Sequence, residues 1–427
     1  MEYETREIKE GIKLHYLHTD KYKTDLIYLA LMIPSKREYI TYNALLPLIL
    51  KRGTMNYHTQ YDLSKALDNL YGACLSATID KKGDNLVNKF SLDLLDNRYA
   101  LDDTNIIKGG LDIMFDIVFN PLLENGMFKS DFLEAEKEHL KYNIASKIDD
   151  KESYATEACV SAMFGEEGYG LYKGGYLEDV DSINPENMTK FYNYLVDNAE
   201  IDIFVSSKTG IEEFEKCIRE NETIQRLSPR KGEFIEYDTV ENARPILDTP
   251  KVITENMDIV QGKLVIGYDV RPKEKEFQEL GLVYNALLGS AATSLLFQNV
   301  REKEGLCYST RSIFLRSKLS LFIKCGIQVE NYEKVLKLVD EQLDILRNGE
   351  FSDEDLSNAK QYIIALIKAV KEDQDAELAY YLGCELAKNY LSLDEYIDRV
   401  EKITREDVIS IAGTVFVNTI YFLKSLE

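Results

Sequence analysis

The chain has no tryptophan and only four histidines, His15, His18, His58 and His139, in 427 residues. Any imidazole chemistry must come from these four positions. His15 and His18 lie in Gly11-Ile12-Lys13-Leu14-His15-Tyr16-Leu17-His18, which reads as a strand. Three positions apart on a strand, they point to opposite faces and cannot share a metal. His58 precedes a predicted helix and reads as a turn or surface residue. His139 falls in Glu134-Ala135-Glu136-Lys137-Glu138-His139, a charged helical stretch that reads as a solvated face. There is no His-Glu-x-x-His motif or Cys/His cluster, no Gly-x-x-x-x-Gly-Lys or Gly-x-Gly-x-x-Gly phosphate loop, and no Gly-x-Ser-x-Gly elbow. A cysteine nucleophile such as Cys307 would need an imidazole neighbour, and the sequence nominates none.

Other absences narrow the class. The six cysteines (Cys74, Cys159, Cys217, Cys307, Cys325, Cys384) are scattered without a Cys-x-x-Cys pair, which reads as reduced thiols in a cytoplasmic protein. No apolar run approaches the roughly 18 residues a membrane span needs. Met1-Glu2-Tyr3-Glu4-Thr5-Arg6 lacks the basic and apolar regions of a secretion signal. A net charge of -23, from 74 acidic and 51 basic residues, with no basic stripe, argues against nucleic acid as a partner.

With 45% hydrophobic and 29% charged residues, the composition is that of globular protein, and the length exceeds what one core accommodates. Self-comparison shows an internal repeat. Tyr42-Asn43-Ala44-Leu45-Leu46 recurs as Tyr284-Asn285-Ala286-Leu287-Leu288, and Gly72-Ala73-Cys74-Leu75-Ser76 echoes Gly305-Leu306-Cys307-Tyr308-Ser309. Phe128, Asp131, Leu133 and Ala135 resemble Phe351, Asp355, Leu356 and Ala359; Val180-x-x-Ile183-x-x-Glu186 matches Val400-x-x-Ile403-x-x-Glu406. The echoes keep their order while their offset shortens, as expected of a duplication trimmed in the second copy. Pro229, Pro245 and Pro250 mark an extended surface linker over 228–250 between domains 1–227 and 251–427. Each half opens with strands, such as Asp25–Ile33 and Gly262–Tyr268, and goes on to helices with capping signals at Thr59, Asn184 and Thr404. Strands and helices come in runs without strict alternation, so the expected class is α+β, two tandem copies related by a pseudo-twofold.

One block stands out in the second half: Leu287-Leu288-Gly289-Ser290-Ala291-Ala292-Thr293-Ser294-Leu295-Leu296-Phe297-Gln298-Asn299-Val300-Arg301-Glu302-Lys303-Glu304-Gly305-Leu306-Cys307-Tyr308-Ser309. With its small-residue loop, Ser-x-Leu-Phe helix and Arg-x-Lys-x-Gly-Leu-x-Tyr-Ser turn, it resembles the second domain of the pitrilysin/insulysin family. These are zinc metallopeptidases with an inverted His-x-x-Glu-His motif. The duplication, Arg52-Gly53-Thr54 and the Gly262–Tyr268 strand fit the same family, so the resemblance covers essentially the whole chain.

The resemblance implies a split outcome for the site. Anchored on Arg52-Gly53-Thr54, the family motif falls on Ala44-Leu45-Leu46-Pro47-Leu48, so Ala44 and Leu48 replace both histidine ligands and Pro47 the general base. The family's third ligand, a glutamate seven residues after another, corresponds to Asn143 after Glu136 (or Lys141 after Glu134, or Ala145 after Glu138). The expected metal in this chain is therefore none. The family also uses an arginine and a tyrosine seven apart to hold the substrate peptide, and Arg301 and Tyr308 have that spacing in the matching context. A guanidinium and a phenol can both donate to a peptide carbonyl or developing oxyanion. The bland alternative makes Arg301 a helix-end ion pair and Tyr308 strand packing. The resemblance implies a catalytically incomplete subunit that supplies Arg301 and Tyr308 to a zinc-bearing partner of the same fold, in a heterodimeric peptidase. The alternative is an inert scaffold or peptide-binding protein.

Overall fold

The computed structural model describes residues 3–238, 243–272 and 278–425. The middle of the expected 228–250 linker (239–242) lies outside the described residues. About half the chain is helical and a quarter is strand, an α+β protein.

The chain resolves into two compact units. The first is built on a six-stranded sheet of β1 (Tyr3–Lys9), β2 (Ile12–His18), β3 (Thr24–Pro34), β4 (Cys74–Lys82), β5 (Asn85–Leu95) and β6 (Glu200–Ser207), in the order β1-β2-β6-β3-β5-β4. β3 reads as a continuous apolar run because it lies inside the sheet and is buried almost throughout. Its Ile27, Leu29, Leu31 and Ile33 join a core that includes Leu45, Leu46 and Ile49 of helix α1 (Arg37–Leu50) and Leu133 and Leu140 of helix α2 (Ser130–Ser146). The expected caps form: Thr59 makes a reciprocal capping box with Asp62, Asn184 with Asn187 ahead of Pro185, and Thr404 with Asp407.

The second unit is built on a five-stranded sheet of β7 (Lys251–Asn256), β8 (Gly262–Val270), β9 (Cys307–Leu315), β10 (Ser320–Ile327) and β11 (Val415–Lys424), in the order β9-β10-β8-β11-β7. Its topology repeats the first. The series β4-β5-β3-β6 is antiparallel throughout and ends on the parallel pair β6–β2. The series β9-β10-β8-β11 is likewise antiparallel and ends on the parallel pair β11–β7.

The units do not follow the chain's midpoint. Residues 147–170, which include helix α3 (Lys151–Phe164), group with the second unit, and residues 374–382 group with the first. Ala155, Cys159, Val160, Met163 and Phe164 pack with Val265, Phe322, Tyr421 and Leu423. Gly267 makes this packing possible: a Cβ there would come within 2.7 Å of Met163 Sδ. In the first unit Gln374 Nε2 donates to the carbonyls of Ser206 (2.9 Å) and Thr24 (3.2 Å). The connecting segment differs from a free surface linker at its described ends. Arg230 is buried over Gly11 and donates to the Val196 carbonyl. Arg244 pairs with Asp269 and stacks on Phe164. Buried cationic side chains need such acceptors, so both ends are tied down.

Candidate functional site

α1 places Ala44, Pro47 and Leu48 on one side, and α2 brings Asn143 to meet them. All four line one cavity of about 220 Å³ with Ala77 and Ile79 of β4, Leu140, Tyr172, Lys173 and Gly174. Pro47 sits inside α1, where it lacks the N–H a helical residue would donate. The cavity does not fit zinc. Ala44, Leu48 and Pro47 have no lone pair to give, and Asn143 adds only a neutral amide, while Zn²⁺ takes thiolate, imidazole or carboxylate donors. Beside it, the buried Glu136 carboxylate is bound by Arg52 Nε at 2.5 Å and by His139 Nδ1 at 3.2 Å, so this carboxylate already has its partners.

Three cavity residues, Tyr172, Lys173 and Gly174, come from a stretch the sequence reading passed over. Its signal is the cluster Gly165, Gly168, Gly170, Gly174 and Gly175. Gly175 adopts φ +89°, a left-handed backbone that favours glycine, and its loop lies against α1, where a Cβ would sit 3.3 Å from Thr41 Cγ2 and 3.4 Å from Ala44 Cβ. Two lysines tie the loop to β4: Lys173 Nζ donates to the Ile79 carbonyl and Lys81 Nζ to the Leu171 carbonyl, both at 2.7 Å.

The substrate pair of the sequence reading lies in the second unit. Arg301 belongs to Leu296–Lys303, which is wound as a π-helix, a form found mostly as short insertions at functional sites. Its guanidinium lies over the Phe297 ring at 4.6 Å and 3.6 Å from Glu302, and the side chain stays 40% exposed. The π-helical segment packs on β9, which carries Tyr308. Tyr308 is the extra residue of a β-bulge, where the β9–β10 register shifts between Cys307 and Ser309. Bulges re-aim a side chain out of the ladder, and Tyr308 is 60% exposed rather than packed. Gln328 Nε2 donates to its phenol oxygen at 2.8 Å, so its own O–H remains to donate.

The other histidines lie apart. His15 is fully buried on β2, with Nε2 3.2 Å from Asp202 and Nδ1 within hydrogen-bond distance of the Tyr3 and Thr5 hydroxyls. His18 lies near Asp20 and contacts Tyr16. His58 lies ahead of the helix Gln60–Asn69.

Residues 182–363 match the family described as Peptidase M16 inactive domain. The chain is 29% identical over 419 residues to a Bacillus subtilis protein named probable inactive metalloprotease YmfF, covering 98% of this chain and 96% of that one. It is 23% identical over 313 residues to the uncharacterized zinc protease YmxG of the same organism, 72% of each chain. A crystal structure of a conserved protein from Enterococcus faecalis V583 is similar at a TM-score of 0.91 and 25% identity, over 99% of this chain and 98% of that one. The M16 inactive-domain structure from Pseudomonas fluorescens is similar in fold, with TM-score 0.81 and 16% identity over 100% of this chain and 99% of that one. With its repeated α+β unit and these relatives, the chain is similar across its length to proteins of the pitrilysin-type M16 metallopeptidase family, and its residues 182–363 match that family's inactive domain.

Proposed function

We propose that this chain is the zinc-free subunit of a two-chain M16 peptidase in the cytoplasm. A partner of the same fold holds the zinc, and this chain presents Arg301 and Tyr308 to the peptide being cleaved. One observation carries the reading: Tyr308 stands on a bulge with an exposed phenol whose O–H is left to donate. A tyrosine kept only for packing would be covered. Donors aimed at a scissile carbonyl act where negative charge develops, so they stabilise the transition state more than the bound peptide. The cavity at the motif positions supports a division of labour, since Ala44, Pro47, Leu48 and Asn143 supply neither a zinc set nor a general base.

The test is co-expression with a chain of similar length bearing His-x-x-Glu-His, sought in the neighbouring gene, and assay of the purified pair on peptides. Cleavage that needs both chains and collapses in Arg301→Ala and Tyr308→Phe supports the proposal. A complex that forms with full activity in both variants assigns the chain to the rival class, an inert scaffold or peptide-binding protein.

A further inference from the structure

Gln328 decides what the Tyr308 phenol is free to do. Its Nε2 donates to the phenol oxygen at 2.8 Å, and among the described residues this is the phenol's one hydrogen bond. Gln328 is the first residue past β10, where the chain enters the short turn Val329–Asn331. Its backbone is extended (φ -76°, ψ 145°), and its carbonyl accepts from the Asn331 N–H at 3.0 Å, which fixes the root of the side chain. Cys307 and Ile327 are partners across the β9–β10 ladder, and Tyr308 is the residue added on β9 beside that pair. The amide therefore reaches the phenol from the end of the neighbouring strand, while the tyrosine itself stays exposed. The direction of this bond matters. A phenol has one O–H to give and two lone pairs to receive with. An amide N–H occupies a lone pair and leaves the O–H for a ligand, whereas a carboxylate in the same place would take the O–H itself. Donation to the oxygen also polarises the O–H and makes it a stronger donor in turn.

We propose that Gln328 is a positioning residue: by giving its N–H to Tyr308, it reserves the phenol O–H for the scissile carbonyl of the bound peptide. The inference rests on the reading of Tyr308 as a substrate donor and adds the residue that sets its hydrogen-bond polarity. Two variants separate polarity from bulk. Gln328→Glu is isosteric, but near neutral pH its carboxylate offers only acceptors and takes up the O–H. Gln328→Met keeps the length and offers no hydrogen bond of comparable strength.

The test uses the reconstituted pair, with complex formation checked by size-exclusion chromatography. Gln328→Glu is expected to lower kcat nearly as far as Tyr308→Phe, on the order of a hundredfold, with KM little changed. Gln328→Met is expected to fall between Gln328→Glu and wild type. The double variant Gln328→Glu, Tyr308→Phe should be no slower than Tyr308→Phe alone, because both changes remove the same donor. A further loss in the double variant would show the new carboxylate acting by its own charge, and would overturn the proposal. So would full activity of Gln328→Glu where Tyr308→Phe is slow. Full activity of Tyr308→Phe would instead overturn the substrate-donor reading, and this inference with it. The chain alone gives a second readout that needs no partner: the C–O stretch of the Tyr308 phenol, isolated as the infrared difference between each chain and its Tyr308→Phe counterpart. Donating the O–H gives the C–O bond phenolate character and raises this stretch, whereas accepting a hydrogen bond lowers it. The stretch should therefore rise in Gln328→Glu, and an unchanged stretch would overturn the proposal.

Discussion

Ala44 on α1 and Asn143 on α2 face one cavity, although they are far apart in sequence. Helix packing has brought together the residues that, on the family resemblance, stand where its metal ligands would be.

Restoring those donors should therefore create a metal site. The triple variant Ala44→His, Leu48→His, Asn143→Glu supplies two imidazoles and a carboxylate around the cavity, a set zinc accepts. About one zinc per chain by elemental analysis is expected, against none in the parent. A correctly folded variant without zinc would show that these positions do not converge as described.

In the reconstituted pair, Tyr308→Phe should lower kcat with little change in KM, because the lost O–H serves charge that develops only in the transition state. Loss of one such donor typically costs on the order of a hundredfold, roughly 3 kcal/mol. A rise in KM alone would mean that Tyr308 only binds the peptide ground state.

Asp25 gives the fold a pH dependence. Burial lifts its carboxyl pKa to about 6, although Ser207 donates to Oδ1, and Oδ2 has no partner. The folded value exceeds the usual one of about 3.9. The protonated form is therefore the stabilising one: its contribution is full below about pH 4 and lost as pH rises through about 6. Asp25→Asn should be more stable than wild type at pH 7.5, by an amount on the order of 2–3 kcal/mol, and lose that advantage at pH 4. Denaturant titrations at the two pH values decide it, and a constant difference would refute it.

Cutting the chain at its midpoint should fail to yield two independent domains. Residues 147–170 group with the second unit and 374–382 with the first, so fragment 236–427 lacks part of its core and fragment 1–235 lacks a segment that hydrogen-bonds to its sheet. Each alone is expected to aggregate or bind a hydrophobic dye, and co-expression is expected to rescue both. A monomeric fragment 1–235 with a cooperative melt would contradict this.

The strands around Asp25–Ile33 and Gly262–Tyr268, the helix caps at Thr59, Asn184 and Thr404, and the repeat were all legible in the sequence. They rest on local physics: apolar periodicity, and side chains that cap backbone groups a few residues away. The motif positions Ala44, Pro47, Leu48 and Asn143 could be named from the resemblance, but their meeting at one cavity could not be read from spacing. The glycine cluster marks the loop that carries Lys173, but its approach to α1 from far along the chain could not be read from spacing either. The sequence by itself determined the α+β class, the repeat and the missing metal donors, because each is written in residue type and short-range pattern. Only the tertiary structure decided that α3 packs with the second sheet and that Tyr308 stands on a bulge. These depend on strand register and on which apolar faces find each other, contacts between distant residues that no local pattern encodes.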